Sequence, residues 1–111
     1  MAVPTVNITG TLRDGSGAAV SGVGALSIKL NGLGYVSDGV NNLEIPNQIF
    51  VVPVIDGVID FNLIPCSSIT KLDGSNPRWI VSYNVPYFVK AVETWNLGAT
   101  DPVDITAIPK E

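Results

Sequence analysis

Hydrophobic and polar residues alternate along this chain in short runs, separated by glycine, proline, asparagine and aspartate. The clearest pattern lies between Ile49 and Ile64, where two apolar runs rich in β-branched residues flank Asp56-Gly57. An Asp-Gly pair accepts the positive φ angles of a type I′ turn, so this stretch predicts a β-hairpin. On its second strand Ile59, Phe61 and Leu63 share one face, while Asp60 and Asn62 point away. Its first strand sets Phe50, Val52 and Val54 against Val51 and Ile55 and is apolar on both sides, which predicts a second sheet on one face and a neighbouring chain or loop on the other.

The other runs fit the same scheme. Val6, Ile8 and Leu12 alternate with Asn7, Thr9, Thr11 and Arg13, the mark of a half-buried strand. Gly10 falls at an inward position of that strand, which predicts a bulge or close packing against a larger neighbour. Asp14-Gly15-Ser16-Gly17 is a turn, and residues 20–24 a loose connection. A second strand over Ala25 to Asn31 puts Leu26, Ile28 and Leu30 on one face.

Residues 32–48 carry turn signals, with Tyr35, Leu43 and Ile45 as apolar residues that have no obvious sheet to join. The pattern favours a short strand over 43–45, capped by Pro46, against a long interface-forming connection. Beyond the loop 65–77, Trp79, Val81, Tyr83 and Val85 alternate as a core strand, because large rings supply much of a small domain's buried area. Pro86-Tyr87 makes a turn, Phe88 to Trp95 a further strand, and Val103 to Ile108 the closing one. About seven strands and no helix predict an all-β fold, a seven-stranded Greek-key β-sandwich of immunoglobulin-like or prealbumin-like form. There is no internal repeat.

The 111 residues predict one domain over 1–111. Hydrophobic residues make up 46% and charged ones 14%, far from a disordered composition. So few charges suit either a subunit whose faces are covered by partners or a compact monomer with a Ser/Thr/Asn-rich surface. The net charge is −4, and the six cations, Arg13, Lys29, Lys71, Arg78, Lys90 and Lys110, are scattered singly. A nucleic-acid partner is not expected without a basic stripe to neutralise phosphates. Met1-Ala2-Val3-Pro4 lacks the features of a signal peptide, and no apolar run approaches the roughly 20 residues that span a bilayer. The single cysteine, Cys66, cannot form an intrachain disulfide, which fits assembly in a reducing cytoplasm.

Catalytic chemistry finds little footing. The chain has no histidine, which removes the commonest general base and metal ligand. Cys66 has no basic neighbour to lower its pKa and reads as a small buried hydrophobe. Asp56, Asp60, Asp101 and Asp104 read as turn and surface acids, with no cleft to hold two of them across a substrate. Asp73-Gly74-Ser75-Asn76 lacks the alternating acids and terminal Glu of an EF-hand. Among the aromatics, Trp79 and Tyr83 belong to the core. Tyr87 and Trp95, at strand ends, are the rings expected to be exposed and available to a sugar. No enzyme activity, metal or cofactor is expected. Tyr35, Leu43, Ile45, Tyr87 and Trp95 are the candidate interface or ligand contacts.

The succession Val6 to Gly22 resembles the opening of carboxypeptidase-regulatory-like and prealbumin-like sandwich modules, "V-x-G-x-(L/V)-x-D-x-x-G-x-P-V-x-G", with Ala19 in place of the proline. Gly57 to Pro65, Trp79 to Tyr83, Val92 to Leu97 and Val103 to Ile108 resemble a module recurrent in tailed-bacteriophage structural proteins. That group runs from a strand ending "L-x-P" through "Y-x-V" and "W-x-(I/V)-P" to a closing hydrophobic strand. Here Trp79 replaces the tyrosine, and Leu97-Gly98 stands where a proline is expected. The resemblance implies a non-enzymatic virion component assembled in the host cytoplasm, such as a capsid decoration protein or a head-fibre, collar or tail appendage. Its implied partners are a major capsid, collar or tail protein and copies of itself, with a trimer as the expected cyclic form. A carbohydrate-binding or adhesin-like sandwich module is the alternative.

Overall fold

The computed structural model describes residues 3–37, 39–45, 48–85 and 92–111. Ten strands occur among them: β1 (Val6–Thr11), β2 (Val23–Leu30), β3 (Gly34–Ser37), β4 (Asn42–Ile45), β5 (Phe50–Ile55), β6 (Val58–Leu63), β7 (Ile69–Lys71), β8 (Trp79–Asn84), β9 (Val92–Trp95) and β10 (Val103–Asp104). Two single-turn 3-10 helices, Cys66–Ser68 and Ile105–Ala107, are the only helical elements among the described residues. The fold is all-β, as the alternation predicts.

Seven strands form one curled mixed sheet in the order β10-β1-β6-β5-β2-β8-β9, and three form a small sheet, β4-β3-β7. The β1–β10 pair is parallel and the other pairs are antiparallel. Val6 and Ile8, Ile59 and Leu63, Val52 and Val54, Leu26, Ile28 and Leu30, Trp79 and Val81, and Trp95 all turn to the inner face of the large sheet. There they make one buried cluster with Ile105 and Ile108. Curling lets a single sheet enclose its own core, because opposite ends of the strand order supply facing side chains.

Asp56 and Gly57 both have positive φ, 51° and 79°, as a type I′ turn requires. Gly57 is also irreplaceable on space, since a Cβ there would lie 2.7 Å from the Leu12 carbonyl oxygen. The hairpin is nevertheless not a paired ribbon. Its arms meet only at Ile55↔Val58, and then part. β5 pairs with β2 from Ile55↔Val23 to Phe50↔Ile28, whereas β6 pairs with β1 from Val58↔Thr11 to Leu63↔Val6. One arm thus belongs to each flank of the large sheet.

The favoured short strand over 43–45 is present as β4, and two local expectations are corrected. Tyr35, Leu43 and Ile45 do have a sheet to join: β3 pairs with β4 and with β7, two strands that the alternation did not reveal as partners. The closing strand stops at Asp104, whose side chain accepts a hydrogen bond from the Thr106 amide and turns the chain into a 3-10 helix. The expected strand over 88–95 is described only from Val92 onward. Its earlier residues, the Pro86-Tyr87 turn and the Pro46 cap lie outside the described residues. Gly10 is explained by packing, since a methyl there would sit 2.6 Å from Cγ2 of Ile105.

Candidate interaction faces

The outward residues of the large sheet divide sharply by flank. On β1 and β6 they are Asn7, Thr9 and Thr11 against Asn62, Asp60 and Val58. Asn7 Nδ2 donates to Asp60 Oδ1 at 2.8 Å and to Asn62 Oδ1 at 3.1 Å, a polar ladder across the strand pair. On β5, β2 and β8 the outward rows are Val51, Pro53 and Ile55, then Val23, Ala25, Ser27 and Lys29, then Ile80, Ser82 and Asn84. β9 continues them with Val92 and Thr94. Lys29 is the sole charge among these twelve residues. Val23, Val51, Ile55 and Val92 are 73%, 62%, 57% and 59% exposed. On the inner face of β5 Val52 and Val54 are buried, while its outer face, expected to meet a neighbouring chain or loop, is exposed within the single chain.

Tyr35, Leu43 and Ile45 come together in the small sheet but on two faces. Leu43 and Ile45 pair with Val36 and Gly34, whose side faces the buried Ile69; Tyr35 pairs with Glu44 and Thr70 on the opposite side. Ile45 is half-buried against the main core, and Leu43 is exposed. Tyr87 lies outside the described residues. Trp95 corrects the expectation of an exposed ring. It is 0% exposed, and its Nε1 donates to Glu93 Oε1 at 3.0 Å. The ring stands at a strand end, but the chain returns over it: Lys110 bridges Trp95, Asn96 N donates to the Pro109 carbonyl, and Glu111 N donates to the Thr94 carbonyl. The Lys110 ammonium stands 5.5 Å from the Trp95 ring centre and donates to the carbonyls of Ile105 and Ile108.

Glu93 is the residue that sequence reasoning missed. It faces inward on β9, is buried, and accepts from the Tyr83 hydroxyl at 2.5 Å as well as from Trp95. Burial, then the hydrogen bond to Glu93 and its charge, push the Tyr83 pKa far above its ordinary value. Glu93 is two residues from Trp95, so on a strand the two share a face, but that face is buried by the return of Pro109–Glu111, which no local pattern signals. Tyr83 and Glu93 border an open cleft of about 1170 Å³ that runs from β1 to the Ile105–Ala107 helix. The ionisable groups on its wall have described bonds to the protein itself. Arg13 donates to the Gly17 carbonyl and Asp60 accepts from Asn7, while Asp104 accepts from Thr106. Glu93 and Lys110 are bonded as above. The cleft brings no two carboxylates into a shared acid/base arrangement through these contacts.

The remaining candidates are structural. Asp14, Asp73 and Asp104 repeat one device, in which Oδ1 accepts both the amide and the hydroxyl of the serine or threonine two residues on, with hydroxyl distances of 2.6 Å in all three. Those hydroxyl bonds, followed by the amide bonds, hold each carboxyl below its ordinary pKa. In Asp73-Gly74-Ser75-Asn76 the Asp73 oxygen serves the turn and Asn76 Nδ2 donates to the Ile69 carbonyl. Cys66 is buried, its Sγ lies 3.6 Å from the Trp95 carbonyl oxygen, and burial raises its thiol pKa. That is the reverse of an activated nucleophile.

Comparison with family models, curated proteins and solved structures yields no match.

Proposed function

We propose that this chain is a non-enzymatic structural protein of a tailed-bacteriophage virion, a capsid decoration protein or a head-fibre, collar or tail appendage subunit, acting by adhesion to other proteins. The observation that supports the adhesive part is the outer face of β5, β2, β8 and β9. Contiguous exposed apolar surface of a few hundred Å² or more is uncommon on soluble monomers and marks contact surfaces. Interface centres are also depleted in charge, as these rows are. The virion assignment rests on the motif resemblance over residues 57–65, 79–83, 92–97 and 103–108. In this reading the curled sheet is a Greek-key β-sandwich of immunoglobulin-like or prealbumin-like type, with β10, β1 and β6 as one layer and β5, β2, β8 and β9 as the other. The divergence of the β5 and β6 arms supports that division.

The partners would be a major capsid, collar or tail protein and further copies of the chain, in particles assembled in the host cytoplasm. The test is mass spectrometry of purified tailed-phage particles released by the host that carries the gene, with antibody-gold labelling to place the protein on the particle. Peptides at a fixed stoichiometry and gold at one particle site are expected. Particles that lack the protein would overturn the assignment.

A further inference from the structure

We infer that the bare outer face of β5, β2 and β8 takes a second copy of itself, across a twofold axis that runs over the strands through the row Val52, Leu26 and Tyr83. The inference rests on the adhesive reading of that face and names its partner.

The register carries the argument. Val52 pairs with Leu26, and Leu26 with Tyr83, so these three residues form one row across the sheet, and all three point inward. A twofold axis lying along that row in the plane between two stacked sheets reverses strand direction and leaves each strand over its own copy. Residues one step above the row then meet residues one step below it. Ser27 falls on Ala25, Val51 on Pro53, and Ser82 on Asn84. The match is small on small, apolar on apolar and polar on polar. Three steps out, Ile55 falls on Ile49, the residue before Phe50 in the Phe50↔Ile28 pair, and both are exposed.

The one cation among these outward rows completes the match. Lys29 falls on Val23 of the other copy, beside the turn where Asp56 holds the Gly22 amide. The lysine stem thus covers valine while its ammonium reaches a carboxylate, and this happens twice in the pair. No like charges are brought together among these residues. Ala25 and Ser27 at the centre let the sheets approach to the roughly 10 Å of face-to-face packing.

Area sets the strength. Three strands at about 4.8 Å spacing and about six residues at 3.3 Å give a plan of roughly 300 Å² per copy. Side-chain relief adds to this, but stable interfaces use about 800 Å² per partner. The pair should therefore be reversible, with Kd on the order of 10–100 µM. A twofold pair replaces, at this face, the trimer that the motif resemblance suggests.

Sedimentation equilibrium of the full chain between about 5 µM and 1 mM tests this, with near-ultraviolet circular dichroism confirming that each variant is folded. The wild-type mass should rise from monomer toward dimer and stop there. Val51→Glu, which buries an acid at the contact, should weaken pairing at least tenfold. Lys29→Glu, which sets an acid against Asp56, should weaken it severalfold, and more at low salt than at high salt. A monomer at 1 mM, a mass that converges on a trimer, or folded Val51→Glu that pairs like the wild type would each overturn the inference. If particles carry the protein and the isolated chain stays monomeric, the virion reading survives and the twofold contact does not. If the chain pairs as described and particles lack it, the contact survives and the virion reading does not.

Discussion

The two flanks of the large sheet are alike inside and opposite outside. Inside, β1 and β6 contribute Val6, Ile8, Ile59 and Leu63, and β5, β2 and β8 contribute Val54, Leu26, Ile28 and Val81, all buried. Outside, the first flank carries an Asn/Asp/Thr ladder and the second carries valine, isoleucine, proline, alanine and serine around one lysine. Core formation accounts for the inner rows on both flanks and is indifferent to the outer ones. The outer apolar rows are exposed within the single chain. The adhesive reading proposed above assigns them to a partner surface.

If that division is correct, truncation on the inner rows should act alike on both flanks. Ile8→Ala and Leu26→Ala should each lower unfolding free energy by about 2–5 kcal/mol in urea titrations, because each leaves a cavity in one shared core. A near-zero value for either would show that the flanks do not share it. Gly24→Ala should come next, at about 1–3 kcal/mol, since a methyl there would lie 2.7 Å from both the Asn84 carbonyl oxygen and Val85 Cα, and backbone must shift. The matched control on the polar flank, Thr9→Ala, should stay within about 1 kcal/mol.

Proton linkage sharpens the comparison, since Tyr83 and Glu93 face the interior beside the apolar flank. The folded Tyr83 pKa is raised, so its contribution to stability is fully present below the unfolded value near 10 and is lost as pH rises beyond it. Thermal melts from pH 9 to 11.5 should show a decline that flattens in Tyr83→Phe. Asp14, Asp73 and Asp104 run the opposite way: their folded pKa values are lowered, so what they contribute is present above pH 3.8 and fades as pH falls. Being exposed, they should give only a shallow acid limb. The smallest effect on stability belongs to the bare face. Val51→Thr should change unfolding free energy by about 0.5 kcal/mol or less while raising the solubility limit. A large loss of stability there would mean that the outer row is packed within the chain after all.

Much of the large sheet was legible in the residues. Alternation over Val6–Thr11, Leu26–Leu30 and Trp79–Tyr83, and the Asp56-Gly57 turn, give strands and facing that period-2 geometry dictates. The small sheet was not, because Gly34-Tyr35-Val36-Ser37 and Ile69-Thr70-Lys71 are too short to show a period, and their pairing joins residues over 30 positions apart. Whether a neighbouring chain or a loop covers the outer face of β5 was also illegible. An apolar-on-both-sides strand looks the same in sequence whether its cover comes from the chain or from elsewhere. Trp95 was misplaced for a related reason: what buries it is Pro109–Glu111, a contact that no local pattern announces.

The hairpin whose arms separate after one residue pair also bears on how fast the molecule can form. A ribbon that zips from its turn gains ladder bonds locally, before any distant closure is needed. Here each arm must instead find β2 or β1, with matches such as Val52 to Leu26 and Phe61 to Ile8 at long sequence separation. Such high contact order places refolding in the millisecond-to-second range rather than microseconds. Newly made chains would expose the β5 rows throughout that search.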